Sequence, residues 1–208
     1  MFKEGGISKM KVLKKAVLLS LVLLILCGFI YPLLLTGISQ VVFNKKANGS
    51  IIKIGEEAVG SELIGQDFTD SKFLKGRISS VNYNTYSSDT DYKGPSSGSG
   101  NLGASNKLLT KRVEDDIEKF LKENPTVKKE DIPTDLLTSS ASGLDPNITV
   151  KSAEIQIPRI SKVSGISEEN LKRIVEKSTD KKLLGVFGEE KVNILKANIA
   201  IQSELNKK

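Results

Sequence analysis

Residues 16–35 read AVLLSLVLLILCGFIYPLLL, and no residue between Lys15 and Lys45 carries a charge. A helix needs ~20 apolar residues to cross a bilayer core of roughly 30 Å. In lipid, a helix is also the one single-segment way to satisfy every backbone N–H and C=O. The stretch therefore predicts a transmembrane helix over residues 16–39. A basic N-terminus, residues 1–15, precedes it, and a domain of residues 40–208 follows.

Two other readings of the stretch fail on its details. A cleaved signal peptide has an apolar core of ~7–15 residues ending at a small-x-small site. Here the apolar run continues through Leu33, Leu34 and Leu35, and the nearest tolerable cleavage site, Ala47-Asn48-Gly49, lies too far downstream. A lipoprotein would be modified at Cys27, but the residue before it is Leu26, where a small one is needed. Orientation follows from the flanks. Lys3, Lys9, Lys11, Lys14 and Lys15, offset by Glu4, precede the span, and only Lys45 and Lys46 follow it closely. Positive flanks stay cytosolic. The expectation is a single-pass protein of the cell membrane, with its N-terminus in the cytosol and the rest exported.

The net charge of +6 reflects those same lysines. Setting them and Glu4 aside leaves 26 basic and 24 acidic residues, a nearly neutral soluble part. No basic face with interleaved aromatics is visible, which argues against nucleic-acid binding. Cys27 is the one cysteine, so no intramolecular disulfide can form. The chain has no histidine, which removes Ser-His-Asp and Cys-His catalysis and the commonest zinc ligand.

Along the soluble part, residues 50–54 read as a strand after the Asn48-Gly49 turn signal. Residues 40–43 read either as the first arm of that hairpin or as the end of the membrane helix. Residues 79–106 are rich in Ser, Asn, Gly, Asp, Thr and Tyr and predict a long surface loop. A helix then starts at Ser105 or Asn106. It carries Leu109, Val113, Ile117, Phe120 and Leu121 on one face and stops at Pro125. Thr149 can cap a second helix, which Pro158 should interrupt, and Ser167 can cap a third. The β-branched run 192–201 reads as a terminal strand. The fold class expected is a mixed α/β soluble domain, with about three helices and a small sheet, on a single N-terminal transmembrane helix.

Two polar motifs are candidate sites. Ser97-Gly98-Ser99-Gly100-Asn101-Leu102-Gly103 contains a literal G-x-G-x-x-G entering a helix, where backbone N–H groups could cradle a phosphate. The preceding strand and βαβ frame that such a cradle needs are missing, and no Gly-Lys-Ser/Thr follows. A flexible loop capped onto a helix is the favoured reading of the pattern. Ser142-Gly143-Leu144-Asp145 places a hydroxyl, a turn signal and a carboxylate together, with no base nearby in sequence to activate the serine. An Asx turn leading to the helix capped at Thr149 accounts for it, and an interface role for these four residues is the alternative.

Taken in order, the chain resembles the C subunit of the Kdp high-affinity potassium-transporting P-type ATPase. The likeness is carried by Tyr31-Pro32-Leu33-Leu34, Ala47-Asn48-Gly49-Ser50, residues 60–66, Gly76-Arg77 and the loop 97–106. It continues through residues 137–146, Gln156-Ile157-Pro158-Arg159 and residues 188–195. Ser99-Gly100 inverts the order usual in that family, Ala104 stands where proline is common, and Asn147 where histidine is frequent.

The resemblance implies a non-catalytic accessory subunit needed for assembly and activity. Its partners would be a channel-like potassium-selecting subunit, a P-type ATPase subunit and the lipid bilayer. It implies no cofactor in this chain; ATP and potassium act at the level of the complex. The family's C subunit has been proposed as a catalytic chaperone that raises the ATP affinity of the ATPase subunit, with loop 97–103 as nucleotide contact. The lysine asymmetry opposes that contact, because ATP is cytosolic. A stand-alone, membrane-anchored binding protein is the alternative function.

Overall fold

The apolar stretch is helical from end to end. Helix α1 (Glu4–Ile25) runs into a π-helical turn (Leu26–Ile30), which runs into α2 (Tyr31–Val42). The turn has a local cause. Pro32 has no N–H, and in a regular helix its ring would collide with the carbonyl four residues back, that of Gly28. Widening the helix by one residue relieves the collision, and the Tyr31 N–H donates to the Leu26 carbonyl five residues back. From Lys9 to Val42 the helix counts 34 residues and is apolar enough to cross a membrane, an 18-residue window within it having a mean hydropathy of 2.7. At 1.5 Å per residue that is about 50 Å. The computed structural model describes residues 4–85 and 94–207. The chain divides into two compact units, residues 1–50 and 51–208.

Residues 40–42 belong to the long apolar helix and not to a hairpin. A short helix α3 (Asn44–Ala47) follows. Gln40, Asn44 and Asn48 lie one turn apart and hydrogen-bond one another. The Asn44 amide donates to Gln40 Oε1 at 3.2 Å, and that of Asn48 to the same oxygen at 3.0 Å. Asn48 also donates to the Asn44 carbonyl at 2.8 Å, so its side chain caps a helix end where the Asn48-Gly49 signal predicts a hairpin turn. The hairpin lies further on. Strand β1 (Ile51–Ile54) pairs antiparallel with β2 (Glu57–Ser61) around a turn whose first central residue, Gly55, has φ 64°.

The second unit is the mixed α/β fold expected. It contains α4 (Lys107–Glu123), β3 (Asn147–Ile148), α5 (Val150–Glu154), α6 (Ile157–Ser164), α7 (Glu168–Lys177), β4 (Thr179–Asp180), β5 (Lys191–Asn193) and α8 (Ile194–Leu205). The last three strands form an antiparallel sheet in the order β3-β5-β4. Leu74, Ile148, Ile157, Ile160, Leu171, Val192 and Ile201 sit in the core, and Ile117, Phe120 and Leu121 of α4 pack on it. Thr149 caps α5 by accepting from the Ser152 N–H, and Ser167 caps α7 by accepting from Asn170. Pro158 stands in the first turn of α6, so the predicted interruption falls at residues 155–156.

Residues 192–201 do not form a terminal strand. β5 ends at Asn193, whose side chain accepts from the Lys196 N–H and opens α8. Ile194, Ala197, Asn198 and Ile201 then face the core with helical spacing. Burial of that face outweighs the modest preference of β-branched residues for strands.

Three buried polar side chains of the helices hold the irregular segment 71–75, which carries Leu74 into the core. Asn198 accepts from the Leu74 N–H at 2.8 Å and donates to its carbonyl at 2.9 Å. Gln156 does the same for Lys75, at 2.9 and 3.2 Å. Arg159 donates to the carbonyls of Ser71 and Phe73, to Asn124 Oδ1 at 3.0 Å and to Gln156 Oε1 at 2.8 Å. Burial holds its guanidinium below the usual value, against the pull of Glu123 and Asp70. A buried segment outside helix and sheet needs such partners for its backbone.

Candidate functional site

The structure joins the two sequence motifs at their inner ends. The Gly98 N–H donates to the Ser142 carbonyl at 2.7 Å, and the Ser97 hydroxyl donates to the same oxygen at 3.1 Å. Gly143 lies beneath them at φ 69°. A Cβ there would come within 2.7 Å of Val81 and 2.9 Å of the Gly98 carbonyl. The Leu144 carbonyl accepts from the Gly65 N–H at 2.8 Å. Gly100, Asn101, Leu102 and Gly103 are exposed at the outer end of the loop. There the Ser99 hydroxyl donates to Asn101 Oδ1 at 3.0 Å, and the Asn101 N–H donates back to Ser99 Oγ at 3.3 Å. The helix that the loop enters is capped by its own Asn106, which accepts from the Leu108 N–H at 2.9 Å. Several donors that a phosphate cradle would use are therefore spent within the protein. Residues 86–93 of the long polar loop lie outside the described residues.

Asp145 is engaged on both oxygens. One accepts from the Asn147 N–H at 3.0 Å, the Asx turn expected from sequence. The other takes Arg77 Nη1 at 3.0 Å. Arg77 Nη2 also reaches Thr138 Oγ1 at 3.3 Å and the Ser139 carbonyl at 3.4 Å. A β-bridge between Ile78 and Ser139 runs beside this clamp. Arg77 Nε and the Ser140 hydroxyl are buried without a hydrogen-bond partner among the described residues.

The sequence does not single out Arg77, Ser79 or Tyr83 as site residues, yet Arg77 and Ser79 bond directly to the 142–145 motif and Tyr83 bonds to both of them. Asn82, Tyr83 and Asn84 have φ of 49°, 49° and 55°, a left-handed turn. Such positions cost roughly 1–2 kcal/mol per residue for L side chains, less for Asn. The turn is held from both sides. The Ser79 hydroxyl donates to the Gly143 carbonyl at 2.6 Å and accepts from the Tyr83 N–H at 2.8 Å. The Tyr83 hydroxyl donates to the Arg77 carbonyl at 2.7 Å. Burial, reinforced by the carboxylates of Asp145 and Asp67, pushes the Tyr83 phenol up to about 12. The available sequence signal was the Asn-Tyr-Asn triplet, since asparagine tolerates this conformation.

Arg77 separates two open clefts. One, about 520 Å³, is lined by Asp67, Lys75, Tyr83 and Glu123. The other, about 650 Å³, is lined by Thr138, Asp145, Leu183 and Phe187 among others. Among the described residues, no three His, Cys, Asp or Glu side chains converge as metal ligands would. The hydroxyls of the two motifs bond to carbonyls and amides, and none is paired with a base among the described residues. The geometry is that of a polar surface braced by internal hydrogen bonds.

Residues 13–203 match the model of the family described as KdpC, K+-transporting ATPase, c chain. The chain is similar to the potassium-transporting ATPase KdpC subunit of Clostridioides difficile (strain 630), 61% identical over 201 residues, which span 92% of this chain and 97% of that one. The subunit of the same name from Clostridium kluyveri is 56% identical over 199 residues, 94% and 95% of the two chains. That of Caldanaerobacter subterraneus subsp. tengcongensis is 44% identical over 195 residues, 94% and 96%.

Proposed function

The chain belongs to the KdpC family of K+-transporting ATPase c chains, and from that premise we propose that it is a non-catalytic accessory subunit of an ATP-driven, high-affinity potassium uptake complex, needed for assembly and activity. The observation that carries this reading is the match over residues 13–203, which takes in both the membrane helix and the folded unit. The helix holds the chain in the cell membrane with its N-terminus in the cytosol. The folded unit lies outside and docks on the channel-like, potassium-selecting subunit near its ion entrance.

Under this reading the chain raises the performance of the ATPase subunit indirectly. Docking favours one state of the channel-like subunit, and that preference is transmitted as a coupling free energy between distant sites. The inward use of the Gly98, Asn101 and Leu108 amides supports an indirect effect over a nucleotide contact by residues 97–103. Ser142, Gly143, Leu144 and Asp145 then serve as part of the docking surface, held rigid by Arg77.

The test is purification of the complex in mild detergent from cells with and without this chain, together with growth at limiting potassium. The expected result is co-purification with both other subunits, and loss of low-potassium growth on deletion. A chain that purifies alone, and whose deletion leaves growth untouched, would instead be a stand-alone anchored binding protein. Protease added outside intact spheroplasts should digest the folded unit; protection would reverse the topology.

A further inference from the structure

The C-terminal end of the long apolar helix has two unlike sides. Gln40, Asn44 and Asn48 form a polar row whose amides bond one another. The Phe43 N–H donates to the Ser39 carbonyl at 2.9 Å and the Ala47 N–H to the Phe43 carbonyl at 2.8 Å, so helical spacing carries on from α2 into α3. At that spacing Lys45 stands one turn beyond Val41, and Lys46 one turn beyond Val42, away from the polar row. Val41, Val42 and Phe43 are 85%, 62% and 55% exposed, and both lysines are exposed as well. Two bonds close the end. The Ser50 N–H donates to the Lys45 carbonyl at 2.9 Å, and the N–H of Gly49, at φ 80°, to the Lys46 carbonyl at 3.1 Å. This left-handed glycine cap fixes where the last turn stops, with its two lysines in place.

The surface on which these residues lie is continuous with the membrane span, and that decides what covers it. No residue between Lys15 and Lys45 is charged, so Val41, Val42 and Phe43 prolong the apolar surface that crosses the bilayer. Lys45 stands thirty positions after Lys15, about 45 Å along the helix. A bilayer measures roughly 30 Å across its hydrocarbon and about 40–45 Å with its headgroups. With Lys14 and Lys15 in one headgroup layer, Lys45 and Lys46 therefore lie in the other. Their aliphatic stems can lie along the valines one turn below while the ammonium groups reach the phosphates. No acid occurs in the sequence between Glu4 and Glu56 to set against that positive charge. A zwitterionic headgroup offers the pair little net attraction, whereas an anionic surface offers a factor of about five per lysine. The polar row suits the same boundary, because amides already bonded to one another cost less to remove from water.

We propose that Val41, Val42, Phe43, Lys45 and Lys46 form a binding site for an anionic phospholipid, its acyl chain against the three apolar side chains and its phosphate oxygens accepting from the two ammonium groups. Such a site fixes the depth and tilt of the helix in the bilayer. It rests on the helix spanning the membrane, and not on which end is cytosolic. The full chain, with photoreactive benzoylphenylalanine in place of Phe43, is reconstituted in mixed vesicles of phosphatidylcholine and phosphatidylglycerol. Illumination should yield lipid adducts in which the ratio of phosphatidylglycerol to phosphatidylcholine, read by mass spectrometry, exceeds that of the vesicles by about fivefold or more. Lys45→Gln/Lys46→Gln should return the ratio to the vesicle value and leave the circular dichroism spectrum unaltered. The N-terminal lysines, about 45 Å away, stay in both chains and control for attraction at the far leaflet. Adducts in the vesicle ratio, or an enrichment that survives the double substitution, would overturn the proposal. In membranes of the producing cells, where every partner is present, position 43 should again label phospholipid, and an adduct with a polypeptide in its place would overturn it as well. A spin label on Cys27, near the middle of the helix, separates failure of the site from failure of the span. Relaxation of that label by dissolved oxygen, and not by an aqueous nickel complex, marks a spanning helix. If the nickel complex relaxes it, the membrane reading falls with the proposal. If Cys27 sits in lipid and the adducts keep the vesicle ratio, only the lipid site falls.

Discussion

Gly143 and Gly103 make opposite demands on a side chain, although both belong to the polar loops that sequence reading singled out. At Gly143 the backbone is left-handed, and an added methyl would press on Val81 and the Gly98 carbonyl. Strain of about 1 kcal/mol from the backbone and 1–3 kcal/mol from overpacking add there, so Gly143→Ala should destabilise the fold by about 2–4 kcal/mol. Nothing lies within 4 Å of a Cβ built on Gly103. Gly103→Ala should change stability by no more than about 0.5 kcal/mol. Thermal unfolding of the full chain in detergent distinguishes the two, and equal effects would contradict the geometry. Tyr83 offers a second check. Its phenol is raised to about 12, so the folded state favours the neutral form. The stability this contributes is complete below the unfolded value near 10, and is lost as pH rises from there through 12. In absorbance titrations of phenolate, Tyr83 should therefore ionise late in the folded chain, seen as the difference from Tyr83→Phe. Tyr83→Phe should remove that late step and no other.

Helix α8 shows where local signals and tertiary burial part company. Asn193, which opens it, accepts from the Lys196 N–H and donates to the Glu62 carbonyl at 2.8 Å. Asn193→Ala should cost about 2–3 kcal/mol, roughly half from the lost cap and half from the lost buried hydrogen bond. Asn193→Ser, which can still cap, should recover about 1 kcal/mol in the same unfolding measurement. Neither role of Asn193 stands out among the β-branched residues around it, whose run by itself predicts a strand. The elements legible in the sequence were those with local causes. These are the apolar span, the caps at Asn106, Thr149 and Ser167, the break at Pro158 and the apolar face of α4. The hairpin of β1 and β2 was half legible, because Glu57–Ser61 has neither alternation nor a run of β-branched residues. The site was legible only as two separate motifs. What joins them is the Gly98 N–H and the Ser97 hydroxyl on the Ser142 carbonyl, braced from behind by Arg77 on Asp145 and by a left-handed turn at residues 82–84, and none of these has a local periodicity.

At the scale of the whole molecule, the proposed function turns on which side of the membrane the folded unit occupies. That placement rests on the charges beside the span. Five lysines precede it and two follow closely, and it is lysine and arginine near the helix ends that set orientation, with acids contributing little. Replacing Lys9, Lys11, Lys14 and Lys15 by glutamine leaves Lys3 alone on the N-terminal side against Lys45 and Lys46. The bias then runs the other way, and a substantial fraction of chains should insert with the folded unit in the cytosol. Cys27 makes this measurable, because it is the one native thiol. With Cys27→Ser as background, Lys128→Cys places a thiol at an exposed position in the segment after α4. A membrane-impermeant maleimide added to intact cells should label that thiol fully in the otherwise native chain, and only partly in the quadruple glutamine variant. The inverted molecules would bring loop 97–103 into the compartment that holds ATP, yet should fail to support growth at low potassium, because their docking surface faces the wrong side. Labelling that is absent from the native chain, or growth that survives inversion, would reopen a direct nucleotide contact for that loop.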